Sequence, residues 1–519
     1  MNLTDLAREH GEKPAVIMGG TGATMSYAEL ERRSNQVAHL FRARGLRAGM
    51  SIAVLMQNEL ELFPVIWAAQ RTGLYYAPVN WHLSAAEAAY IVADCGARLL
   101  VSSASVEPLA AEAAAAVPAL EGRLVAGAAA GATLAAGAES LDAAVEGLPG
   151  TPVDDETEGL PMLYSSGTTG KPKGIVRPLT GQPFGTGLGL ETVMRLVFGF
   201  SPSSVYLCPG PLYHAAPLGW SNGTTRIGGT VVVMERFDAA MALSLIERYR
   251  ITEGQFVPTM FVRMLRLPEA EREKYDLSSL RLAIHAAAPV AVEVKRAMID
   301  WFGPILAEYY AGSEGNGICV IDSNDWLAHP GSVGRPLGVE VHIVGEDGAE
   351  VPADEVGTVY FSGGSPFEYH NDPGKTASAF NPSGWSTLGD MGYLDDEGYL
   401  YLADRRTDLI VSGGVNIYPR EVEEALAPHP AVADVAVIGI PDEEMGQRVH
   451  AVVQPAVAGA GSPELAAELI EFCRARIAHF KAPGSVSFED SLPRTPSGKM
   501  LRRVVAERYR DGAPAGPSS

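Results

Sequence analysis

Cysteine is scarce in this chain of 519 residues, which contains only four. They lie far apart, form no CxxC pair and have no cluster of histidines beside them: Cys95, Cys208, Cys319 and Cys473. A disulfide framework and a structural zinc site both require cysteines at closer, regular spacings. The sequence therefore predicts reduced, mostly buried thiols and no cysteine-bound metal.

Basic residues are also few, because 40 Lys and Arg face 62 Asp and Glu and the formal net charge is -22. Nucleic acids and anionic membranes attract basic surfaces, so this balance argues against both as partners. The chain also lacks a basic amino-terminal region followed by an apolar run, and it lacks an apolar segment that could span a bilayer. We therefore expect a cytoplasmic protein with no signal peptide and no transmembrane segment.

The length of the chain exceeds what one hydrophobic core can organise, so two or more domains are expected. Helix-like and strand-like patterns alternate from Leu3 to about Val153, which is typical of a parallel α/β sheet. The composition changes near Asp404, where a charged link precedes a smaller α/β pattern. We predict an α/β fold with a large N-terminal domain of layered α/β subdomains at 1–404, a hinge at 405–408, a small mobile C-terminal α+β domain at 409–509 and a disordered tail at 510–519.

Local signals mark individual elements. Ser26, with Glu29 three residues later, predicts the start of a helix. Ser462 before a proline predicts the start of another helix, which we expect to run to Ala478. The alanine-biased stretch 110–136 is compatible with a loose surface helix or with compositional drift.

The most distinctive stretch is 164–174, Tyr-Ser-Ser-Gly-Thr-Thr-Gly-Lys-Pro-Lys-Gly. Apolar residues on either side predict a strand, a loop and a second strand. Glycines allow backbone N–H groups to line an anion site, hydroxyls add donors and lysines add charge, so the loop is suited to phosphates. It does not match the common P-loop pattern. A mobile surface loop rich in glycine and serine is the alternative, but the full string favours a phosphate site.

Four further motifs follow in order. A hydroxyl and a carboxylate stand side by side at Ser313 and Glu314, and Asp390 closes the stretch 385–390. Arg405 lies in the charged link, and Lys499 lies on a tight loop near the C-terminus. With the phosphate loop, these motifs resemble the adenylate-forming superfamily of acyl-CoA synthetases, adenylation domains of peptide synthetases and firefly-luciferase-type enzymes. The resemblance runs through nearly the whole chain in the family's order.

The resemblance implies an ATP site with Mg²⁺. Tyr310 and the turn of Ala286, Ala287 and Ala288 would contact adenine, and Asp390 and Arg405 would contact the ribose. Ser313 would donate to the α-phosphate, Glu314 would hold the metal, and Lys499 would bridge the α-phosphate and the attacking carboxylate. The β- and γ-phosphates would be held by Ser165, Ser166, Gly167, Thr168, Thr169, Gly170, Lys171 and Lys173.

In acyl-CoA synthetases the small domain then swings to bring a second face to the site. The resemblance implies CoA binding for Ser412, Gly413 and Gly414, where glycines leave room for the pantetheine arm. The pivot corresponds to Thr407, a position where relatives usually carry aspartate or lysine. This difference leaves the hinge in place but puts its exact position in doubt.

The acyl group is less well specified. His214 matches a position where relatives place an aromatic residue or histidine at the acyl pocket, so it is predicted to gate the pocket or orient the carboxylate. Small residues near Gly312 predict space for a medium-chain, long-chain or bulky ring-bearing acid. The predicted pocket residues are His214, Trp220, Asn222, Gly312, Asn316 and Gly317.

Each of these residues alone has an ordinary structural explanation. Glu314 would be a solvated carboxylate, Asp390 a turn residue, and Arg405 and Lys499 exposed cations. Only the ordered combination favours a functional role.

The resemblance implies an AMP-forming acyl-CoA ligase, whose substrates are ATP, CoA and a small-molecule carboxylic acid that is medium-chain, long-chain or bulky and ring-bearing. The alternative is an adenylating enzyme that passes the acyl group to a separate carrier protein or partner ligase, or that performs only one half-reaction. A catalytically silent binding protein on the same fold is a third hypothesis, which the retained Glu314 and Lys499 disfavour. A homodimer is compatible with the sequence.

Overall fold

The structure is a computed structural model of the chain. It describes residues 2–129, 133–165, 172–187, 189–288, 290–405, 408–412, 415–442, 445–494 and 500–509. Within these ranges no helix is both long enough and apolar enough to cross a membrane. All four cysteines are free and buried, which confirms the prediction of unpaired thiols.

Helices occur throughout the described ranges. In chain order they are α1 (Leu3–His10), α2 (Tyr27–Ala43), α3 (Leu62–Arg71), α4 (Ala85–Asp94), α5 (Glu107–Ala115), α6 (Leu141–Ala144), α7 (Leu190–Leu196), α8 (Ala215–Ile227), α9 (Ala239–Tyr249), α10 (Pro258–Leu265), α11 (Glu269–Arg272), α12 (Val292–Phe302), α13 (Ser323–Ala328), α14 (Pro373–Ser378), α15 (Pro419–Leu426), α16 (Pro463–Arg474) and α17 (Arg502–Arg508).

The strands alternate with these helices. In chain order they are β1 (Pro14–Met18), β2 (Thr24–Ser26), β3 (Ser51–Leu55), β4 (Tyr75–Pro78), β5 (Ala97–Ser103), β6 (Gly122–Ala126), β7 (Ala138–Ser140), β8 (Leu160–Pro161), β9 (Leu163–Ser165), β10 (Lys173–Val176), β11 (Val205–Cys208), β12 (Thr230–Val233), β13 (Glu253–Phe256), β14 (Leu282–His285), β15 (Leu306–Ala311), β16 (Ile318–Asp322), β17 (Ser332–Pro336), β18 (Glu340–Val344), β19 (Gly357–Ser362), β20 (Glu368–Tyr369), β21 (Ser386–Leu394), β22 (Leu400–Arg405), β23 (Ile410–Ser412), β24 (Val415–Ile417), β25 (Val432–Asp442), β26 (Gly446–Pro455) and β27 (Ser485–Phe488).

Both predicted helix starts are confirmed. The Ser26 hydroxyl accepts from the N–H of Glu29 at 3.2 Å at the start of α2. The Ser462 hydroxyl accepts from the N–H of Leu465 at 3.2 Å at the start of α16. These bonds satisfy amide groups that have no partner within the first helical turn. The end of α16 was predicted too late, because the helix stops at Arg474.

The first large sheet has six strands in the order β7-β6-β5-β3-β4-β8, and all of its pairs are parallel. The prediction of a parallel α/β sheet is therefore confirmed. Ile52 and Val54 of β3 pack into one hydrophobic cluster with α2 and α3, whereas Ala53 and Leu55 pack into another with α4 and α5. Helices thus cover both faces, which explains the continuous burial of the strand.

The second large sheet has thirteen strands in the order β18-β19-β21-β22-β17-β16-β15-β14-β13-β11-β12-β1-β2. Strands β12, β11, β13, β14 and β15 run parallel, and pairing becomes antiparallel from β15 onward. The carboxyl ends of β14 and β15 therefore open at the same edge. A separate three-stranded sheet, β20-β10-β9, lies near the predicted phosphate loop.

The C-terminal part forms its own α+β unit. Strands β24-β23-β26-β25 are antiparallel, and β27 lies parallel to β26. Leu426 of α15 and Leu469 of α16 belong to one core, whereas Val505 of α17 belongs to a second core around Ile438. The predicted architecture of a large N-terminal and a smaller C-terminal domain is confirmed, while its exact boundaries and its mobility stay predictions.

Candidate active site

The phosphate stretch is built on a hairpin. β9 and β10 pair antiparallel, with Lys173 opposite Ser165 and Gly174 opposite Tyr164. The strands on both sides of the predicted loop are therefore confirmed. The loop itself, Ser166, Gly167, Thr168, Thr169, Gly170 and Lys171, lies outside the described residues, as does the side chain of Ser165.

Lys173 forms an ion pair that the sequence did not predict. Its Nζ lies 2.6 Å from Oδ2 of Asp372, at the turn between β20 and α14. The hydrogen bond with Asp372 raises the pKa of Lys173, and the same bond lowers the pKa of Asp372. Lys173 is therefore cationic throughout the physiological pH range, as a phosphate ligand must be. The Asp-Pro pair at 372–373, a helix-start signal, was the one local hint.

Glu314 is buried, with 8% of its surface exposed. Its Oε1 accepts a 2.9 Å hydrogen bond from the Tyr369 hydroxyl. A β-carbon placed on Gly312 would lie 2.7 Å from Oε2 of the same carboxylate, so a larger residue there would displace the Glu314 side chain. Sequence reasoning missed Tyr369, which is 55 residues from its partner.

The oxygen chemistry at Glu314 suits Mg²⁺. This cation prefers oxygen ligands and in nucleotide enzymes usually binds one or two carboxylates together with substrate phosphates. Among the residues that the structure describes, no group of three or more His, Cys, Asp and Glu could hold an ion. Glu314 would supply one carboxylate to a magnesium ion, and the ATP phosphates would supply further oxygen ligands.

The predicted adenine and ribose residues meet. The Tyr310 hydroxyl donates to Oδ2 of Asp390 at 2.6 Å. Asp390 pairs directly opposite Arg405 in the register of β21 and β22, although the side chain of Arg405 lies outside the described part. Half-buried Ser313 lies between Tyr310 and Glu314 in sequence, at the end of β15. The end of β15 and the residues directly after it thus carry three of the predicted nucleotide residues, Tyr310, Ser313 and Glu314.

The predicted adenine turn follows β14, which lies parallel to β15 with His285 opposite Glu308. Ala287 has φ of +76°, a left-handed conformation that is rare for a residue with a side chain and frequent at functional sites. Beneath the turn, Nζ of buried Lys295 donates to Glu308 Oε2 at 2.6 Å. Burial lowers the pKa of Lys295, and burial together with the charge of Lys295 lowers the pKa of His285 well below its ordinary value.

His214 directly precedes α8 without a capping hydrogen bond from its side chain, and the ring of Tyr213 is centred 4.5 Å from its own. Burial, and then the charge of His82, lower the pKa of His214 to about 4. The ring is therefore neutral at pH 7. Its Nε2 is buried and has no hydrogen-bond partner among the described residues, so it can engage a substrate atom.

Side chains lie beside two of the predicted pocket glycines. A β-carbon on Gly317 would lie 2.1 Å from Phe361 Cδ1, and one on Gly312 would lie 2.7 Å from Leu388 Cδ1. These glycines therefore accommodate neighbouring side chains, and the space predicted for the acid stays a prediction.

The other predicted pocket residues are buried. Trp220 is 2% exposed and donates to the Tyr309 hydroxyl at 3.2 Å. Buried Asn222 leaves its Oδ1 without a hydrogen-bond partner in the described ranges, and buried Asn316 leaves both amide atoms without one. Such groups are normally satisfied, so they are candidates for contacts with a polar substrate group.

Arg177, just after β10, was also missed. It is half-buried, burial lowers its pKa, and it forms no ion pair with the described residues. Its Nη1 would lie 3.6 Å from a β-carbon on Gly315, beside Glu314. A desolvated cation without a carboxylate partner is a candidate for binding an anion.

Of the residues predicted for the hinge, the CoA face and the α-phosphate, the structure places Ser412 and leaves the others undescribed. Ser412 ends β23, opposite Val415 and Gly446. Outside the described residues lie Thr407, Gly413, Gly414 and Lys499. Their predicted roles at the hinge, the CoA face and the α-phosphate stay predictions.

Comparison with known proteins defines the family. Residues 3–368 match the family model of AMP-binding enzymes, and residues 421–499 match the AMP-binding enzyme C-terminal domain. The chain therefore belongs to the AMP-binding enzymes, the adenylate-forming family that its motifs resemble.

Individual relatives cover nearly the whole chain. A feruloyl-CoA synthase of Amycolatopsis is 35% identical over 508 residues, which cover 97% of this chain and 97% of that protein. A fatty acid–acyl-carrier-protein ligase of Streptomyces coeruleorubidus is 33% identical over 516 residues, which cover 97% of this chain and 95% of that protein. The structure of ATP-bound MatB from Rhodopseudomonas palustris has a TM-score of 0.84 at 30% identity and covers 98% of this chain and 99% of that chain.

Proposed function

We propose that the chain is an AMP-forming acyl-CoA ligase. In the first step a carboxylic acid attacks the α-phosphate of ATP, giving an acyl-adenylate and pyrophosphate. In the second step the CoA thiol takes the acyl group and AMP leaves. The observation that carries the proposal is a pair of hydrogen bonds on one stretch of chain: Tyr310 bonds Asp390, and Glu314, four residues later, bonds Tyr369, which pairs with the hairpin of Lys173.

The first step brings an anion against an anionic phosphate, so the site must stabilise charge on the phosphoryl oxygens. Lys173 supplies a fixed cation on the phosphate side, and Ser313 donates to the α-phosphate. Glu314 would hold Mg²⁺, which when bound would add electrostatic stabilisation of the phosphoryl oxygens. Asp390 accepts from the ribose hydroxyls, and Lys499 draws the carboxylate of the acid against the α-phosphate.

Neutral His214 faces the acid. Because its pKa is about 4, it acts at pH 7 as a hydrogen-bonding group that orients the carboxylate and not as a cation.

The second step requires a different orientation of the C-terminal domain. Contacts between the domains in the described part of the chain include two hydrogen bonds: Arg420 Nη1 donates to the Leu402 carbonyl at 3.0 Å, and Arg266 Nη2 donates to the Ala433 carbonyl at 2.9 Å. On the far side of Thr407, Arg502 bonds both Asp408 and Glu423 at 2.8 Å. Asp408 therefore moves with the C-terminal domain, and rotation occurs between Arg405 and Asp408.

The acid is of medium length or carries an aromatic ring. The feruloyl-CoA synthase relative supports a ring-bearing acid, and the buried aromatic side chains of Trp220, Phe198 and Phe200 support an apolar surrounding.

A second candidate function is transfer of the acyl group to a separate carrier protein. The observation that favours it is the acyl-carrier-protein ligase relative, which matches over nearly the whole chain. In that case the adenylation site is the same and only the acceptor of the second step differs.

Two assays test the proposal over a panel of fatty, aryl and polycyclic acids. Acid-dependent exchange between ATP and pyrophosphate reports the first step, and CoA-dependent release of AMP reports the second. Exchange with no thioester from any acid would contradict the CoA-ligase proposal and favour a carrier protein.

Lys499→Ala is expected to abolish exchange while still allowing thioester formation from supplied acyl-adenylate, whereas equal loss of both steps contradicts the two-orientation scheme.

A further inference from the structure

Residues 368–378, here named the bracing segment, comprise β20, a turn and α14. The segment contacts the hairpin of β9 and β10, which flanks the predicted phosphate loop, in three ways. Tyr369 pairs opposite Ile175 of β10, and the N–H of His370 donates to the Gly174 carbonyl at 2.7 Å. The ion pair of Asp372 with Lys173 is the third attachment. The segment and the hairpin therefore form one rigid piece.

The bracing segment is also internally cross-linked. Asp372 caps α14, because its Oδ1 accepts from the N–H of Lys375 at 2.9 Å. The Thr376 hydroxyl donates to the Asp372 carbonyl at 3.0 Å and accepts from the N–H of Tyr369 at 2.9 Å. The Tyr369 ring is 8% exposed and packs edge-on against Phe367. The Tyr369 hydroxyl is thus held in a defined place.

The Tyr369 hydroxyl is hydrogen-bonded to the Glu314 carboxylate. It donates to Oε1 at 2.9 Å in a buried setting, where a hydrogen bond to an ionised acceptor is strong. The other oxygen, Oε2, lies 2.7 Å from the position that a β-carbon on Gly312 would occupy. Tyr369 on one side and Gly312 on the other therefore determine the orientation of the carboxylate.

We propose that Tyr369 is a positioning residue for the magnesium–nucleotide step: it orients Glu314 toward the metal and couples that carboxylate to Lys173 through the bracing segment. This inference rests on the proposed function. Removal of a partner that orients a metal ligand typically weakens metal affinity 10- to 100-fold.

The test measures ATP binding by calorimetry without any acid, with and without Mg²⁺, so that its readout is affinity and not turnover. The gain in ATP affinity on addition of Mg²⁺ is compared between wild type and Tyr369→Phe. We expect this gain to fall about 10-fold in Tyr369→Phe, with the Mg²⁺-free affinity unchanged. Glu314→Gln is expected to lose the gain, and the double variant to match Glu314→Gln, because Tyr369 acts through Glu314.

The matched control is Tyr275→Phe. The Tyr275 hydroxyl donates to Glu271 Oε1 at 2.9 Å, so this variant removes the same kind of bond at the same distance outside the nucleotide residues. It is expected to keep the wild-type gain. A full gain in Tyr369→Phe, or a double variant weaker than Glu314→Gln, would overturn the inference.

A second variant guards against a folding defect. If Tyr369→Phe melts well below wild type, Gly312→Ala displaces the same carboxylate from its other side, and it is expected to lose the Mg²⁺-dependent gain about 10-fold as well. An unchanged gain in folded Gly312→Ala overturns the inference. If wild type itself binds no ATP, the proposed function fails; if wild type shows a gain that the variants keep, only the role of Tyr369 fails.

Discussion

The Tyr310 hydroxyl donates a 2.6 Å hydrogen bond to Asp390 Oδ2. The two residues are 80 positions apart, on β15 and β21 of the same thirteen-stranded sheet. The tyrosine predicted to contact adenine therefore orients the carboxylate predicted to accept from the ribose. A substitution at either residue should weaken binding of the nucleoside part of ATP and leave the phosphate-binding residues in place.

Asp390→Asn is expected to raise the KM for ATP at least 10-fold in the exchange assay, because an amide replaces a carboxylate that accepts charge-assisted hydrogen bonds. The KM for the acid should change little. Asp396→Asn, at an exposed aspartate in the turn after β21, is the matched control and should behave as wild type. An unchanged KM for ATP in Asp390→Asn would remove this residue from the ribose site.

Lys295→Met is expected to destabilise the fold by about 3 to 5 kcal/mol, because it leaves the Glu308 carboxylate buried without its cation. Urea denaturation measures the loss. The double variant Lys295→Met with Glu308→Gln should recover part of it, since no buried charge is left. If the single variant is as stable as wild type, Lys295 does not hold the strands beneath the adenine turn.

Gly317→Ala tests whether Gly317 lines the acyl pocket or only accommodates Phe361. Its methyl group would clash with Phe361, so we expect a loss of about 1 to 3 kcal/mol in stability and an unchanged order of preference among acids. Gly484→Ala, whose β-carbon would meet only the Val449 carbonyl at 3.8 Å, is the control and should be near neutral. A stable Gly317→Ala with altered acid preference would place this position in the pocket wall.

Stability should fall as the pH drops from 6.5 toward 4. His450 is buried, and burial followed by the charge of Arg448 lowers its pKa to about 4. The unfolded chain therefore takes up a proton in this window before the folded chain does, which favours unfolding. The contribution of His450 lost by pH 5 is about 2 kcal/mol.

Denaturation of His450→Gln at pH 7 and pH 5 measures this contribution. The variant should show a smaller drop between the two pH values than wild type, whereas His479→Gln, at an exposed histidine, should show the full drop. Equal drops in wild type and His450→Gln would mean that other groups account for the acid sensitivity.

Local patterns predicted local structure well. The strands around the phosphate loop, the caps at Ser26 and Ser462 and the parallel α/β sheet depend on neighbours a few residues apart, which the sequence displays directly. The alanine-biased stretch shows the limit, because it contains β6, a strand that is buried between β5 and β7. There the surrounding sheet overrides weak local preference.

Long-range partners could not be predicted. Tyr369 and Asp372 bond groups 55 and 199 residues away, and nothing in their own neighbourhood marks them as site residues. The neighbours of the glycines near 312–317 could not be predicted for the same reason: the missing side chain is visible in the sequence, but Phe361 and Leu388, which lie beside Gly317 and Gly312, are distant along the chain.

The sequence by itself determined the family, the order of the nucleotide motifs and the chemistry that they can perform, because those properties depend on which side chains are present and in what order. The tertiary structure decided which groups hold the reactive ones in place. Strand register places Asp390 opposite Arg405. Packing of distant segments brings Tyr369 into contact with Glu314, and Asp372 into contact with Lys173. Such contacts arise only when distant segments are folded together, since burial and pairing energies act across space and not along the chain.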